Sequence, residues 1–167
     1  MSKKRIIKGK KILIVDDEKD VLDALTELLD VCKIDAASSF EEGKKLLERR
    51  SYDIAVLDIM GVQGYELLKI ANERGIPSIM LTAHALSPED LKKSAENGAS
   101  YYAPKEEMNS VEIFVADVLE AVEKKKNAWI KWFSRLGSFY DNRFGGTDWR
   151  EKEKDFWKKK LEEYEGL

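Results

Sequence analysis

The 167-residue chain has one cysteine, Cys32, and one histidine, His84. A lone cysteine can form no intrachain disulfide, which suits a reducing compartment, and Cys32 at the end of a predicted helix reads as a buried structural residue. No apolar stretch approaches the roughly 20 residues that a helix needs to cross a bilayer, and the opening SKKRIIK lacks the hydrophobic region of a signal peptide. These absences point to a cytoplasmic protein that neither spans nor coats a membrane. No nucleophile paired with a base stands out, which argues against an enzyme acting on small molecules. There is no tryptophan before residue 129.

What is present is a full core and an uneven charge. The apolar fraction of 43% suffices for one domain, and the charged fraction of 37% marks a well-solvated surface. The net charge of -3 hides a partition: residues 1 to 11 hold six Lys/Arg and no acid, whereas residues 12 to 123 hold eleven basic and twenty-four acidic side chains. Residues 124 to 167 are basic again, with twelve Lys/Arg against eight acids. Residues 1 to 10 read as a mobile basic tail. Without interleaved aromatics such a tail is a weak nucleic-acid signal.

From 11 to 123 the pattern alternates strand and helix. Strands are predicted over 11–16, 34–37, 52–58, 76–81 and 100–103, with helices over 18–31, 39–50, 65–74 and 87–97, and a fifth starting near Asn109. Ser39 with Glu42 and Ser87-Pro88-Glu89-Asp90 are helix-start signals. Five such pairs, with connections too long for hairpins, predict an α/β fold: a doubly wound five-stranded parallel sheet with helices on both faces. The run IAVLD at 54–58 is apolar enough for a strand buried on both sides, and it ends in Asp58. The first strand ends in Asp16-Asp17. Three carboxylates at the carboxyl edge of one sheet repel each other and invite a divalent cation.

In order along the chain, Asp16-Asp17, Asp58, Thr82-Ala83, Tyr102 and Lys105 resemble the acidic pair, phosphoacceptor, switch Thr/Ser, switch aromatic and lysine of the receiver domain of two-component response regulators. The resemblance covers about 11–123 and implies the flavodoxin-like strand order 2-1-3-4-5. It implies that Asp58 takes a phosphoryl group from a sensor histidine kinase or a histidine phosphotransfer protein, with Mg2+ held by Asp17 and Asp58, by Asp16 through water, and by the backbone carbonyl of Met60. Lys105 would pair with Asp58 and then with a phosphoryl oxygen. Thr82 would move toward the phosphoryl group, Tyr102 would turn into the vacated space, and the fourth helix, fifth strand and fifth helix would carry the signal. The loop after Asp58 is two residues shorter than is usual in the family and lacks its Met-Pro pair. Pro104 precedes Lys105 instead of following it, and the sequence leaves its isomer open. His84, two residues past Thr82, reads either as a modulator of dephosphorylation or as an exposed loop histidine.

After Glu123 the composition changes. Trp129, Trp132, Trp149 and Trp157 all lie here, with Phe133, Phe139, Tyr140, Phe144, Phe156 and Tyr164. Apolar spacing predicts that the fifth helix continues through Lys124-Lys125-Lys126 to Gly137, about 40 Å in all. An irregular stretch follows, then a last helix capped by Asp148 with Glu151. Forty-odd residues rarely build their own core, so 124–167 reads as an aromatic-rich helical extension of the receiver, not an independent domain. Its aromatics require cover from the receiver, from a second copy of the chain in a homodimer, or from a downstream protein anchored on the tryptophans. The gap from Gly137 to Asp148 is too long for a helix-turn-helix, which disfavours nucleic acid as the target. Two alternatives stay open beside phosphorylation: a pseudo-receiver scaffold that binds partners without it, and a nucleic-acid-binding regulator that uses the basic flanks.

Overall fold

Runs too apolar to meet water on either face become the inner strands of a sheet. In the computed structural model, which describes residues 3–83 and 87–162, the strands are β1 (Lys11–Val15), β2 (Lys33–Ala37), β3 (Ile54–Asp58), β4 (Ser78–Thr82) and β5 (Tyr101–Pro104). Every residue of β3 and β4 is buried. All pairings are parallel, in the order β2-β1-β3-β4-β5. The helices are α1 (Lys3–Ile7), α2 (Lys19–Leu28), α3 (Phe40–Arg49), α4 (Gly64–Glu73), α5 (Pro88–Glu96), α6 (Val111–Glu123), α7 (Ala128–Arg143), α8 (Asp148–Glu151) and α9 (Lys154–Glu162), with a 3-10 helix over Lys105–Ser110. The doubly wound sheet and its strand order are as the alternation and the resemblance imply.

The local start signals act as expected. Ser39 Oγ accepts from Glu42 N at 3.2 Å, and Ser87 with Asp90 forms a full capping box ahead of Pro88. No helix among the described residues is long and apolar enough to cross a membrane. The peptide before Pro104 is trans. His84 and Tyr164 lie outside the described residues.

Three expectations are corrected. Residues 3–7 are not a tail: they form α1, which packs on α6 and buries Ile7 completely. The apolar Ile6-Ile7 pair, not the lysines around it, decides that placement. The fifth predicted helix does not run on to Gly137. It ends at Glu123, Lys125 takes a left-handed φ of +56°, and Asn127 starts α7 by accepting from Trp129 N at 2.9 Å. Three consecutive lysines suit the negative end of a helix dipole, and asparagine is a preferred cap, so the break has a local cause. Helix α7 in turn runs through Gly137 to Arg143, where the sequence suggested an irregular stretch.

The extension packs on the receiver. Helix α7 lies on β5 and α6, and α9 lies on α7 and α8. All four tryptophans are buried within the chain, so of the three covers the sequence left open it is the receiver and the extension itself that supply it, and a downstream protein does not find them as exposed anchors. Trp129 Nε1 donates to Ala99 O at 3.0 Å and Trp132 Nε1 to Tyr102 O at 2.6 Å, which satisfies both indoles inside an apolar cluster. Trp149 Nε1 donates to Asp141 Oδ1 at 2.8 Å. Arg135 grips the buried Asp117 with Nε and Nη2, and Tyr101 Oη donates to the same carboxylate at 3.0 Å.

Candidate functional site

Register alone brings the predicted residues together. Val15 pairs with Leu57, Asp58 with Leu81, and Thr82 with Pro104, so the ends of β1, β3, β4 and β5 line up at one edge. Asp16 follows β1, Asp58 and Thr82 close β3 and β4, and Lys105 follows β5. In a doubly wound sheet this carboxyl edge is where ligands bind.

Lys105 organises the edge. Its side chain is only 11% exposed, and Nζ lies 2.9 Å from Asp16 Oδ2, 2.8 Å from Glu18 Oε1 and 3.3 Å from Asp58 Oδ1. Asp16 Oδ2 meets the ammonium as an ion pair, without the alignment of a hydrogen bond. Asp16 Oδ1 accepts from Glu18 N at 2.9 Å. Glu18 was not among the residues singled out in the sequence: it lies 87 positions from Lys105 and carries no spacing signal.

Burial and charge pull in opposite directions here. Desolvation raises the pKa of Asp58, the adjacent Asp16 charge adds to the rise, and Lys105 opposes both. Asp16 is likewise raised, by burial first, against its contacts with Lys105 and the Glu18 amide. Burial alone would lower the pKa of Lys105, but Glu18, Asp16 and Asp58 outweigh it and hold the ammonium charged. Lys105 in turn holds Glu18 below the usual carboxylate range. One cation thus opposes, without cancelling, the tendency of two buried carboxylates to take up protons.

The loop after Asp58 is tight. Gly61 N donates to Asp58 Oδ2 at 3.1 Å, Gly64 N donates to Ile59 O at 3.0 Å, and Gln63 takes a positive φ of 53°. A Cβ on Gly64 would strike the Asp58 carbonyl, and one on Gly61 would strike the Asp17 carboxylate. Glycine at both positions therefore lets the short loop fold back over the acids. Met60 projects outward, 75% exposed. Asp17 is exposed beside the edge, and Asp16, Asp17 and Glu18 bring carboxylate oxygens within 4.8 Å of one another. Asp58 is not part of that group; Lys105 stands between it and Asp16. These are hard oxygen donors of the kind that Mg2+ prefers.

Thr82 and Tyr102 are both buried. The Tyr102 ring lies 5.5 Å from that of Tyr140 in α7, a neighbour that no motif pointed to.

A parallel sheet of this order, with acids and a lysine meeting at its carboxyl edge, defines the receivers of two-component signalling, and residues 12–116 match the family model for the response regulator receiver domain; the chain belongs to that family. Among individual proteins it is similar to the heme response regulator HssR of Staphylococcus aureus (strain Newman), 40% identical over 99 residues, 56% of this chain and 43% of the relative. The chain thus spans less than half the length of that curated relative. It is also similar in structure to a CheY-like response regulator receiver domain protein from Methanospirillum hungatei JF-1, with a TM-score of 0.64 and 29% identity over 70% of this chain and 98% of the other. The response regulator DrrB of Thermotoga maritima matches with a TM-score of 0.58 and 28% identity, over 71% of this chain and 55% of that protein.

Proposed function

We propose that Asp58 accepts a phosphoryl group from the phosphohistidine of a sensor histidine kinase or histidine phosphotransfer protein, and that the chain then signals by protein contact. The observation that carries this reading is the position of Lys105 Nζ, 3.3 Å from Asp58 Oδ1 and 2.9 Å from Asp16 Oδ2. An Asp58 oxygen forms a bond to phosphorus, the P–N bond of the donor breaks, and its electron pair stays on the histidine nitrogen. Lys105 screens the approach of two anions and is placed to follow the phosphoryl oxygens once Asp58 carries them as an acyl phosphate. Burial of Asp58 removes water that would otherwise stabilise the free carboxylate and hydrolyse the product.

Mg2+, where bound, would be held by Asp16, Asp17, Asp58 and the carbonyl of Met60, and would neutralise charge on the phosphoryl oxygens. Thr82, at the end of β4, is the hydroxyl that would donate to a phosphoryl oxygen, with Tyr102 following it inward. The chain catalyses only its own phosphorylation and dephosphorylation, inside the cell, where its donor kinases act.

Incubation with acetyl phosphate and Mg2+, read by intact mass, should add one phosphoryl group to the wild type and none to Asp58→Asn. Equal labelling of both, or of neither, sinks the reading, and labelling of neither favours the pseudo-receiver.

A further inference from the structure

The proposed reaction makes no use of Tyr140, yet this residue touches the switch. Its ring lies 5.5 Å from Tyr102 and 5.4 Å from Trp132, and all three side chains are fully buried. The Tyr140 hydroxyl is buried with no hydrogen-bond partner among the described residues, an arrangement that folded proteins rarely tolerate without a reason. Trp132 supplies a second link by donating to the carbonyl of Tyr102.

Around this point the extension also touches α5, the 3-10 helix and α6. On α5, Lys92 Nζ bonds Glu153 at 2.9 Å and lies 5.3 Å from the centre of the Phe156 ring. On the 3-10 helix, Glu106 accepts from Arg143 at 2.6 Å, one residue beyond the site lysine. On α6, Asp117 is held by Arg135. The extension therefore covers the face formed by α5, β5 and α6.

We propose that α7, α8 and α9 read the Asp58 site in cis: they occupy this face in the resting chain, and displacement of Tyr102 loosens them. The inference rests on the phosphoacceptor reading above. When Tyr102 turns toward Thr82 its ring withdraws from Tyr140, whose hydroxyl already lacks a partner, so the packing yields there first. The end of α7 nearest Trp129 stays anchored on Ala99 O, outside β5. While the extension is docked, the α5–β5–α6 face is closed to a second copy of the chain.

The test uses the full chain with Mg2+ and beryllofluoride, a reversible phosphoryl analogue. Amide hydrogen exchange over α7–α9 should speed up on binding, and tryptophan emission should shift, because every tryptophan lies in this segment. Coupling is reciprocal, so Tyr140→Ala, which weakens docking, should bind beryllofluoride about fivefold more tightly or better. Tyr140→Phe keeps the ring and removes the orphan hydroxyl; it should hold the extension more firmly and bind the analogue more weakly than wild type. Opposite shifts from the two variants are not expected of a merely structural residue. Binding with unchanged or slower exchange, or equal affinity in wild type and both variants, overturns the proposal and leaves the phosphoacceptor reading standing. No binding to the wild type, together with no labelling of Asp58 by acetyl phosphate, overturns both. Should Tyr140→Ala not fold, the exchange difference in wild type and the Tyr140→Phe affinity decide it.

Discussion

The two ends of β5 are built on opposite principles. At its carboxyl end Lys105 holds two buried carboxylates that repel each other, whereas along its length α7 sets Trp129, Trp132 and Tyr140 into an apolar cluster. Burying charge costs stability unless it is paired, and burying satisfied indoles adds to it. The extension supplies packing next to a site that spends it, and the two meet at Tyr102.

The contrast can be broken at its strong side first. Trp132→Ala removes a fully buried ring and its bond to Tyr102 O, and urea unfolding should show a loss of about 4 kcal/mol. A loss under about 1 kcal/mol would mean that the extension is peripheral to the fold. Next in size, Lys105→Met leaves Asp16 and Asp58 buried without their cation. It should lose about 3 kcal/mol near neutral pH, and labelling by acetyl phosphate should fall to background.

Removing a charge from the same site should have the opposite sign. Burial and the neighbouring Asp16 raise the folded pKa of Asp58, so folding favours its protonated form. The stability tied to that form is complete below the unfolded aspartate value near 4 and is lost as the pH rises through the folded value. Asp58→Asn should therefore gain stability at neutral pH and flatten the decline of stability above pH 4, which a pH series of melting curves will show. The smallest effect is expected at the rim: Lys92→Ala breaks a partly exposed pair with Glu153 and should lower the melting temperature least of these variants, and less again in high salt.

Much of the receiver was legible because its signals are local. The apolar run 54–57, the caps at Ser39 and Ser87, and the acids closing β1 and β3 each sit within a few residues of what they determine. The break at Lys124–Asn127 is also written locally, in a lysine triplet and a capping asparagine, but the hydrophobic spacing across it has the period of one helix. Other features carried no local mark. Five residues are too few to show helical periodicity, so α1 could not be distinguished from a tail. Glu18 looked like one acid among many until Lys105 arrived from the far end of the sheet. Composition leaves the cover over the tryptophans open among receiver, second copy and partner, because it says that rings must be buried and not against what.

The resemblance to receivers named Thr82, Tyr102 and Lys105; alternation of strand and helix, with acids at strand ends, was enough by itself to determine the class of fold and to point to Asp16, Asp17 and Asp58. These follow from chain-neighbour sterics and from the fact that parallel strands of similar length end together. Only the tertiary structure decided that Lys105 serves three carboxylates, that α1 docks on α6, and that Tyr140 rests on Tyr102. Each of those is a contact between residues far apart in sequence, made by side chains whose alternatives differ little in local energy and greatly in what they bury.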